Sequence, residues 1–388
     1  MSPLKKSIIT MLTGLLTLVA VMGIGRFSLT PQIPLMMHDG YLSLSTAGIL
    51  AAMNYVGYLL GAVHVSRLQK NHALYLKAGI AATVLVTLLS GMTSQFALQC
   101  LYRFISGVGG AWALIIVTSW TQHNLAAHSP RLSAAVFTGP GVGIALTGVL
   151  AWVMSAHHLD SAHSWTVYGA VALVVSLAIC RYLPAEFTAV RPGAGKNEPI
   201  GGELKKLVLI YTLAGFGYIL PATFLSQMAH AVLPNPNLAA FFWPLFGLSA
   251  VAGVLLVILF SGRFNTQASL AFAMILQGAG VAAAVAFPGA WGLLFSTLLT
   301  GLGFLSIMQL TMKFAREISS ISVSRTVGLL TSGYATGQLI GPLISSASVW
   351  FFGSLQPAII IAAMGLVAGG SAVMTLNRQK VRAAAQGR

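Results

Sequence analysis

Residues 7–36 read SIITMLTGLLTLVAVMGIGRFSLTPQIPLM. Arg26 is the one residue of this stretch that is charged at neutral pH. About twenty apolar residues let a helix cross the hydrocarbon of a bilayer, so the stretch predicts a membrane-spanning helix. A charge inside such a helix is expensive and marks a functional site by default. Working outward, similar runs follow at roughly 44–65, 73–92, 97–121, 131–155, 164–182, 206–229, 238–261, 267–286, 290–314, 326–349 and 356–376, which gives about twelve in all. The first run follows Lys5-Lys6, as a signal peptide would. It is too long for one and has no small-residue cleavage site, so it is expected to remain as the first helix.

Composition agrees. Of 388 residues, 56% are hydrophobic and 7% are charged, where soluble domains carry about 25% charged residues. Mean hydropathy is +0.84. The expected class is an all-α, polytopic membrane protein. A net charge of +15 would suggest a nucleic-acid partner in a soluble chain. Here the basic residues fall between hydrophobic runs, so no nucleic acid is expected. Cys100 and Cys180 lie far apart in apolar surroundings, and no disulfide, metal site or redox role follows from them.

The loops alternate in charge. One set holds Lys5, Lys6, Arg67, Lys70, Lys77, Arg131, Arg181, Arg191, Lys196, Lys205, Lys206, Arg263, Lys313, Arg316, Arg325, Arg378, Lys380, Arg382 and Arg388. The other set, near His38, Ser94, His157, Pro234, Pro288 and Ser354, holds no Lys or Arg and carries only Asp39 and Asp160. Basic loops stay in the cytoplasm, which places both termini there and supports the even helix count. One missed helix would invert every later loop. Residues 184–205 are polar and rich in Gly and Pro, and read as a cytoplasmic linker. The expected organisation is residues 1–183 as one six-helix bundle and 206–388 as a second with a short tail.

The bundles repeat. Gly107 and Gly109 in RFISGVGG match Gly301 and Gly303 in TLLTGLGF at an offset of 194. Arg131, Gly139 and Gly143 match Arg325, Gly333 and Gly337 at the same offset. Gly23-Ile-Gly25-Arg26 matches Gly215-Phe-Gly217-Tyr218 at an offset of 192. Parallel six-helix repeats are the architecture of a transporter with a central site between its halves.

These features resemble the major facilitator superfamily over the whole chain. Arg103-Phe-Ile-Ser-Gly107-Val-Gly109 is similar to the family's R-x-x-x-G-x-G signature of the fourth helix. Gly139-Pro140-Gly-Val-Gly143 is similar to the G-P-x-x-G signature of its exporters, and Gly337-x3-Gly341-Pro342-x2-Ser345 is related to it. The loop signature after the second helix is degraded: Gly61, Arg67 and Lys70 are present, but Val65 stands where the family has Asp. Gating on that side must then use other contacts. Gly23 to Pro34, GIGRFSLTPQIP, resembles the YbfB/YjiJ-type branch. The resemblance implies a multi-pass protein of the bacterial inner membrane that works by alternating access. It implies a small organic solute that is exported; an anionic solute is a reading of the embedded arginines, and import or exchange of organic anions is the alternative. A non-transporting membrane sensor is the reading from another class. No Walker loop, metal-ligand cluster or nucleophile–base pair is visible, so neither an enzyme nor a cofactor is expected.

Arg26 and Arg103 are the only embedded charges. In the resembled fold their helices line one cavity, so the guanidiniums would share a depth. Either they bind an anionic substrate group, or they are structural and bonded to helix carbonyls, Gln32 and Asn54. In a third reading Arg103 modulates proton transfer, which would need an embedded acid that the sequence lacks. Asn54, Tyr55, Trp112, Tyr218, Gln227, Gln277, Gln309, Tyr334 and Gln338 could line the cavity. Of these, Asn54, Tyr218 and Gln338 are the expected substrate contacts, and Tyr218 occupies the repeat position of Arg26. Gly107, Gly109, Gly139, Pro140, Gly143, Gly337, Gly341 and Pro342 are read as close-packing or bending positions that serve gating. The expected partners are the small-molecule substrate and membrane lipid, with a proton as the candidate coupling ion, and the expected state is a monomer. In a cysteine-free background, single cysteines at Ser94 and Ser354 should react with a membrane-impermeant thiol reagent added outside. Labelling only after the cytoplasmic face is exposed would overturn the topology.

Overall fold

A computed structural model of the chain describes residues 3–127, 129–187, 200–260, 262–319 and 323–377. Most of the expected linker lies outside the described residues. So do Arg191, Lys196, Arg378, Lys380, Arg382, Arg388 and the side chain of Arg325.

Among the described residues the chain is helical, with long antiparallel helices joined by short turns. They are α1 (Pro3–His38), α2 (Leu44–Arg67), α3 (His72–Ser90), α4 (Phe96–Leu125), α5 (Pro130–Ala156), α6 (Ser161–Tyr182), α7 (Gly202–Val232), α8 (Pro236–Leu259), α9 (Thr266–Ala286), α10 (Ala290–Ile318), α11 (Val323–Phe352) and α12 (Gln356–Val373). Eleven of these are long and apolar enough to cross a membrane. The remaining one, α11, carries Thr331, Ser332, Thr336, Gln338, Ser345, Ser346 and Ser348, so its stripe is more polar. At 30 residues it still reaches about 45 Å. Every run read from the sequence is a helix, and about half extend a turn past the apolar run.

The turns alternate between two faces. On the face that bears the chain ends, Gln267 Nε2 donates to Val373 O (2.8 Å) and Leu376 O (2.9 Å). Thr266 Oγ1 donates to Glu317 Oε1 (2.6 Å), and Asn377 N to Glu203 Oε2 (2.9 Å). On the far face Ser161 N and its hydroxyl donate to Asp39 Oδ2, and Tyr41 OH shares that hydroxyl. Burial raises the Tyr41 phenol above its ordinary range. Asp160 caps α6 by accepting from His163 N (2.8 Å), and that bond holds its carboxyl below the usual range. Large apolar side chains such as Leu85, Val174, Leu209, Phe272, Trp350 and Met364 point outward, as a lipid-facing surface requires.

Glycine decides how close the helices come. A Cβ on Gly107 would strike the Asn54 carbonyl, and one on Gly301 would strike Phe246 O and Ser249. Gly109 faces Gly79 and Thr83 of α3, while Gly303 faces Gln277 of α9. Gly139 and Gly143 face α1, and Gly333 and Gly337 face α7. The repeat positions therefore make the same helix-to-helix contact in the first six helices as in the last six.

Contacts between the first six helices and the last six run along α2–α11, α5–α8 and α1–α7. Gly48 packs against Pro342 and Ser346, and Gly148 packs against Pro244. Ser346 Oγ donates to Ser45 O, Trp243 Nε1 to Thr147 Oγ1 (3.1 Å) and Thr30 Oγ1 to Ala222 O (2.9 Å). All these residues lie between the bundle centre and the far face, so the protein is closed on that side. Pro342 sits inside the unbroken helix α11. In α5 the regular helix yields to a 3-10 turn at Val136–Thr138, just before Gly139-Pro140.

Close backbone approach leaves no room for a side chain at Gly107. We expect Gly107→Val to destabilise the detergent-solubilised protein by about 1–3 kcal/mol, as overpacking does. Thermal unfolding followed by size-exclusion fluorescence checks this, and an unchanged melting temperature would refute the close approach.

Candidate functional site

The site begins with a break in α1. Residues Val19–Ile24 form a π-helical segment, Gly25–Ser28 form turns, and helix resumes at Leu29. Gly25 N donates to Ala20 O (2.9 Å) and Phe27 N to Met22 O (3.0 Å), five residues back. Pro31 explains part of this. It has no N–H to give Phe27 O, and Thr30 N takes that carbonyl instead (3.3 Å). Thr30 N would otherwise serve Arg26 O, which is thereby freed. Single π turns of this kind recur at functional sites.

Arg103 fills the gap. Its Nη1 donates to Gly25 O (2.9 Å) and its Nη2 to Arg26 O (2.6 Å), while Ser106 Oγ also donates to Gly25 O (3.0 Å). Arg103 is 3% exposed. Hydrogen bonds to a charged group contribute about 1.5–3 kcal/mol each, enough to offset an insertion cost of about 2.5–3.5 kcal/mol. Asn54 Nδ2 donates to the carbonyl of Arg103 itself (3.0 Å) and ties α2 to α4 beside Gly107. Gln32, a possible partner of the arginines by sequence, instead donates to Ser161 O (3.3 Å).

Arg26 is differently placed. It is 6% exposed, and its guanidinium carbon lies 4.5 Å from the Tyr55 ring centre, 4.8 Å from Tyr58 and 5.2 Å from Phe27. Desolvated cation–π contacts contribute up to about 2 kcal/mol each, so the rings offset much of the cost of the buried charge. They cover the guanidinium, and Tyr55 also takes a hydrogen bond from it. Nε and Nη2 are buried and have no hydrogen-bond partner. These two nitrogens form the side-on edge of a guanidinium, which takes both oxygens of a carboxylate in parallel bonds.

Arg26, Arg103, Asn54, Tyr55, Thr30 and Thr223 line one void, of about 10 Å³. A water molecule needs about that much space. Across from Arg26, Gln338 of α11 donates to Tyr218 OH of α7, and both are buried. Tyr218 stacks on Phe304 (4.5 Å between centroids, 17° between planes) and lies 5.7 Å from Tyr334 at 10°. Tyr334 stacks on Tyr211 (4.4 Å, 22°). The structure thus brings Arg26, Arg103 and Asn54 together around the void and sets the Tyr218–Gln338 pair facing them. Gln277 donates to Thr300 O (2.8 Å), a helix-to-helix bond, and Trp112 packs with His64 and Tyr75 toward the face bearing the chain ends. Sequence reasoning passed over Tyr58, Phe27 and Phe304. Tyr58 was within reach: it lies one helical turn after Asn54, on the same face of α2.

The family described as "Uncharacterised MFS-type transporter YbfB" matches residues 18–374. The chain is 23% identical over 337 residues to the "Uncharacterized MFS-type transporter YceJ" of Bacillus subtilis (strain 168), covering 84% of this chain and 79% of that protein. Its fold is similar to that of a D-xylose-proton symporter, with a TM-score of 0.77 at 12% identity, over 97% of this chain and 98% of that one. It is also similar to the nucleoside transporter NupG, with a TM-score of 0.73 at 12% identity, over 95% and 99% of the two chains. The two solved structures speak to architecture alone.

Arg103→Gln removes a charged double donor from two freed carbonyls. We expect it to lower stability by about 2–5 kcal/mol, read as a fall in melting temperature without ligand. Arg103→Lys, able to reach one carbonyl at a time, should fall between. Wild-type melting of Arg103→Gln would show that the break in α1 holds itself.

Proposed function

This chain belongs to the YbfB-type family of the major facilitator superfamily and is a multi-pass membrane transporter, and we propose that it carries a small organic anion by alternating access, with Arg26 as the anion-binding group. The observation that carries this reading is the free side-on edge of a buried guanidinium at the junction of the first six helices with the last six. Leaving two charged donors unpaired in a membrane interior is costly, and a carboxylate satisfies both. Arg103 is the positioning residue. Its bonds hold the turn on which Arg26 sits. Residues 1–183 and 206–388 serve as the two rocking bodies. Gly48–Pro342 and Gly148–Pro244 are the contacts that part when the far side opens.

The charge map supports the orientation. The face bearing the chain ends carries the basic turns and is assigned to the cytoplasm, in the bacterial inner membrane. The closed far side then faces outward. Gly139-Pro140-x-x-Gly143 beside the break in α5 supports export.

A second reading, exchange of anions, has one observation in its favour. Of the six acidic residues, Glu198 lies outside the described residues, and Asp39, Asp160, Glu186, Glu203 and Glu317 all lie away from the central part of a helix. A carrier without an embedded titrating acid has no built-in proton switch, and the substrate itself must neutralise Arg26.

Reconstitution into proteoliposomes tests both readings. Organic anions should be carried, and Arg26→Gln should cut their flux by at least about tenfold while melting like the wild type, as loss of a charged hydrogen-bond pair implies. Undiminished flux in Arg26→Gln would refute the anion site. Flux driven by trapped counter-anion but not by an imposed pH gradient would select exchange over proton coupling.

A further inference from the structure

Arg26 is not alone in keeping unpaired polar atoms at the central void. Arg26, Asn54 and Arg103 all line it. Arg26 Nε and Nη2, Arg103 Nε and Asn54 Oδ1 are each buried and without a hydrogen-bond partner. Three of these atoms can only donate, and the fourth can only accept. The hydroxyls beside them are already engaged. Thr30 Oγ1 donates to Ala222 O (2.9 Å) and Thr223 Oγ1 to Ile219 O (2.7 Å), while Tyr55 takes a hydrogen bond from Arg26.

The orientation of the Asn54 amide is fixed by its neighbour. The carbonyl of Arg103 can only accept, so Nδ2 turns to it (3.0 Å) and Oδ1 is left as the free end. Asn54 is 2% exposed, so water on the surface does not reach that oxygen. A carboxylate on Arg26 does nothing for it, because a carboxylate offers only acceptors. The void therefore asks for an anion and, next to it, a group that donates to Asn54 and accepts from Arg103. A hydroxyl does both. An ammonium could donate to Asn54 but cannot accept from Arg103. It would also stand beside two guanidiniums with no acid among the lining residues.

The spacing follows from the size of the void. At about 10 Å³ it is one water wide, so the three residues crowd one small space and the hydroxyl must stand beside the carboxylate. All four unpaired atoms belong to α1, α2 and α4, within the first six helices. The last six contribute Ile219 and Thr223 of α7. When the two sets of helices part to admit a solute, the polar atoms stay together on one side.

We propose that the transported solute is a 2-hydroxy carboxylate. Its carboxylate lies on the Nε–Nη2 edge of Arg26, and its hydroxyl accepts from Arg103 Nε and donates to Asn54 Oδ1. This rests on the reading of Arg26 as an anion site. Asn54 is then the residue that tells a hydroxy acid from a plain one, and the first six helices alone recognise the head group.

The test uses the full-length protein in nanodiscs for ligand-induced melting shifts and in proteoliposomes for flux. The probes are lactate against propionate and 2-hydroxyhexanoate against hexanoate. With them go 3-hydroxypropionate, 2-methoxypropionate, lactamide and alanine. Wild-type protein should favour each 2-hydroxy acid over its plain partner by about tenfold, the worth of a buried hydrogen bond. Asn54→Leu should bring that ratio close to one, and Arg26→Gln should lose both kinds of acid. Should Asn54→Leu not fold, 2-methoxypropionate reads the same contact on the wild type. It cannot donate to Asn54 and should do no better than propionate. Equal handling of hydroxy and plain acids by the wild type overturns the hydroxy-acid class and leaves the anion site standing. So does 3-hydroxypropionate or alanine matching lactate, a full ratio retained in Asn54→Leu, or 2-methoxypropionate matching lactate. Lactamide matching lactate overturns the anion site, and the hydroxy-acid proposal with it. No response to any of the acids at millimolar concentration overturns both.

Discussion

The bond pair from Arg103 to the carbonyls of Gly25 and Arg26 is the contact on which the centre of this protein depends. A membrane interior supplies no water to a carbonyl that leaves its helix, so a broken helix there needs a donor from its own protein. Arg103 supplies two donors on one rigid plane, with Ser106 as a third. Only because those carbonyls are satisfied can α1 turn at Gly25–Ser28. The turn in turn projects Arg26 into the space between the first six helices and the last six. Two embedded arginines that look alike in a charge count are therefore unlike in work: one is spent on backbone, the other keeps an edge free.

Among the described residues, the closure on the far side rests on small residues and neutral hydrogen bonds rather than on ion pairs. Thr30 reaches Ala222, Ser346 reaches Ser45, and Trp243 reaches Thr147, each a single neutral hydrogen bond. Neutral bonds of this kind contribute about 0.5–1.5 kcal/mol each. A seal made of several weak contacts can be released by a ligand of ordinary affinity. A seal of buried charge pairs would need several times more. The energetic scale of the closed side thus suits a protein that must open and close.

Much of this was legible in the sequence. The twelve runs, their alternation in charge and the glycine repeat lie in patterns of period and sign that survive without coordinates. Gly107 and Gly301 pack alike because both are read from the same helical face. What the sequence could not show is which donor finds which acceptor. The carbonyls freed after the π segment at Val19–Ile24 depend on Pro31, five residues past Arg26, and on Arg103 from another helix, and neither signal is local. Asn54, singled out for a cavity, serves a helix-to-helix bond through one of its atoms and lines the void as well. The aromatic stack was visible only as scattered Tyr and Phe. Tyr211, Tyr334, Tyr218 and Phe304 become one stack through the packing of three helices.

The Gly–Pro contacts at the seam carry a further meaning. Gly48 meets Pro342, and Gly148 meets Pro244. In each case the first six helices bring the glycine and the last six bring the proline. The same correspondence that aligns Gly57 with Gly253, each lodged against the fourth helix of its own set, aligns Gly48 with Pro244; the offset of the main repeat aligns Gly148 with Pro342. Two copies of the first set would therefore set glycine against glycine and leave a gap at both crossings. Two copies of the second would drive proline into proline. The sets fit as bump and hollow, and neither can mate with a copy of itself. Whatever symmetry an ancestral pair of equal units possessed, this surface has lost it. The centre shows the same asymmetry from within, with Arg26 on one side and the Tyr218–Gln338 pair on the other.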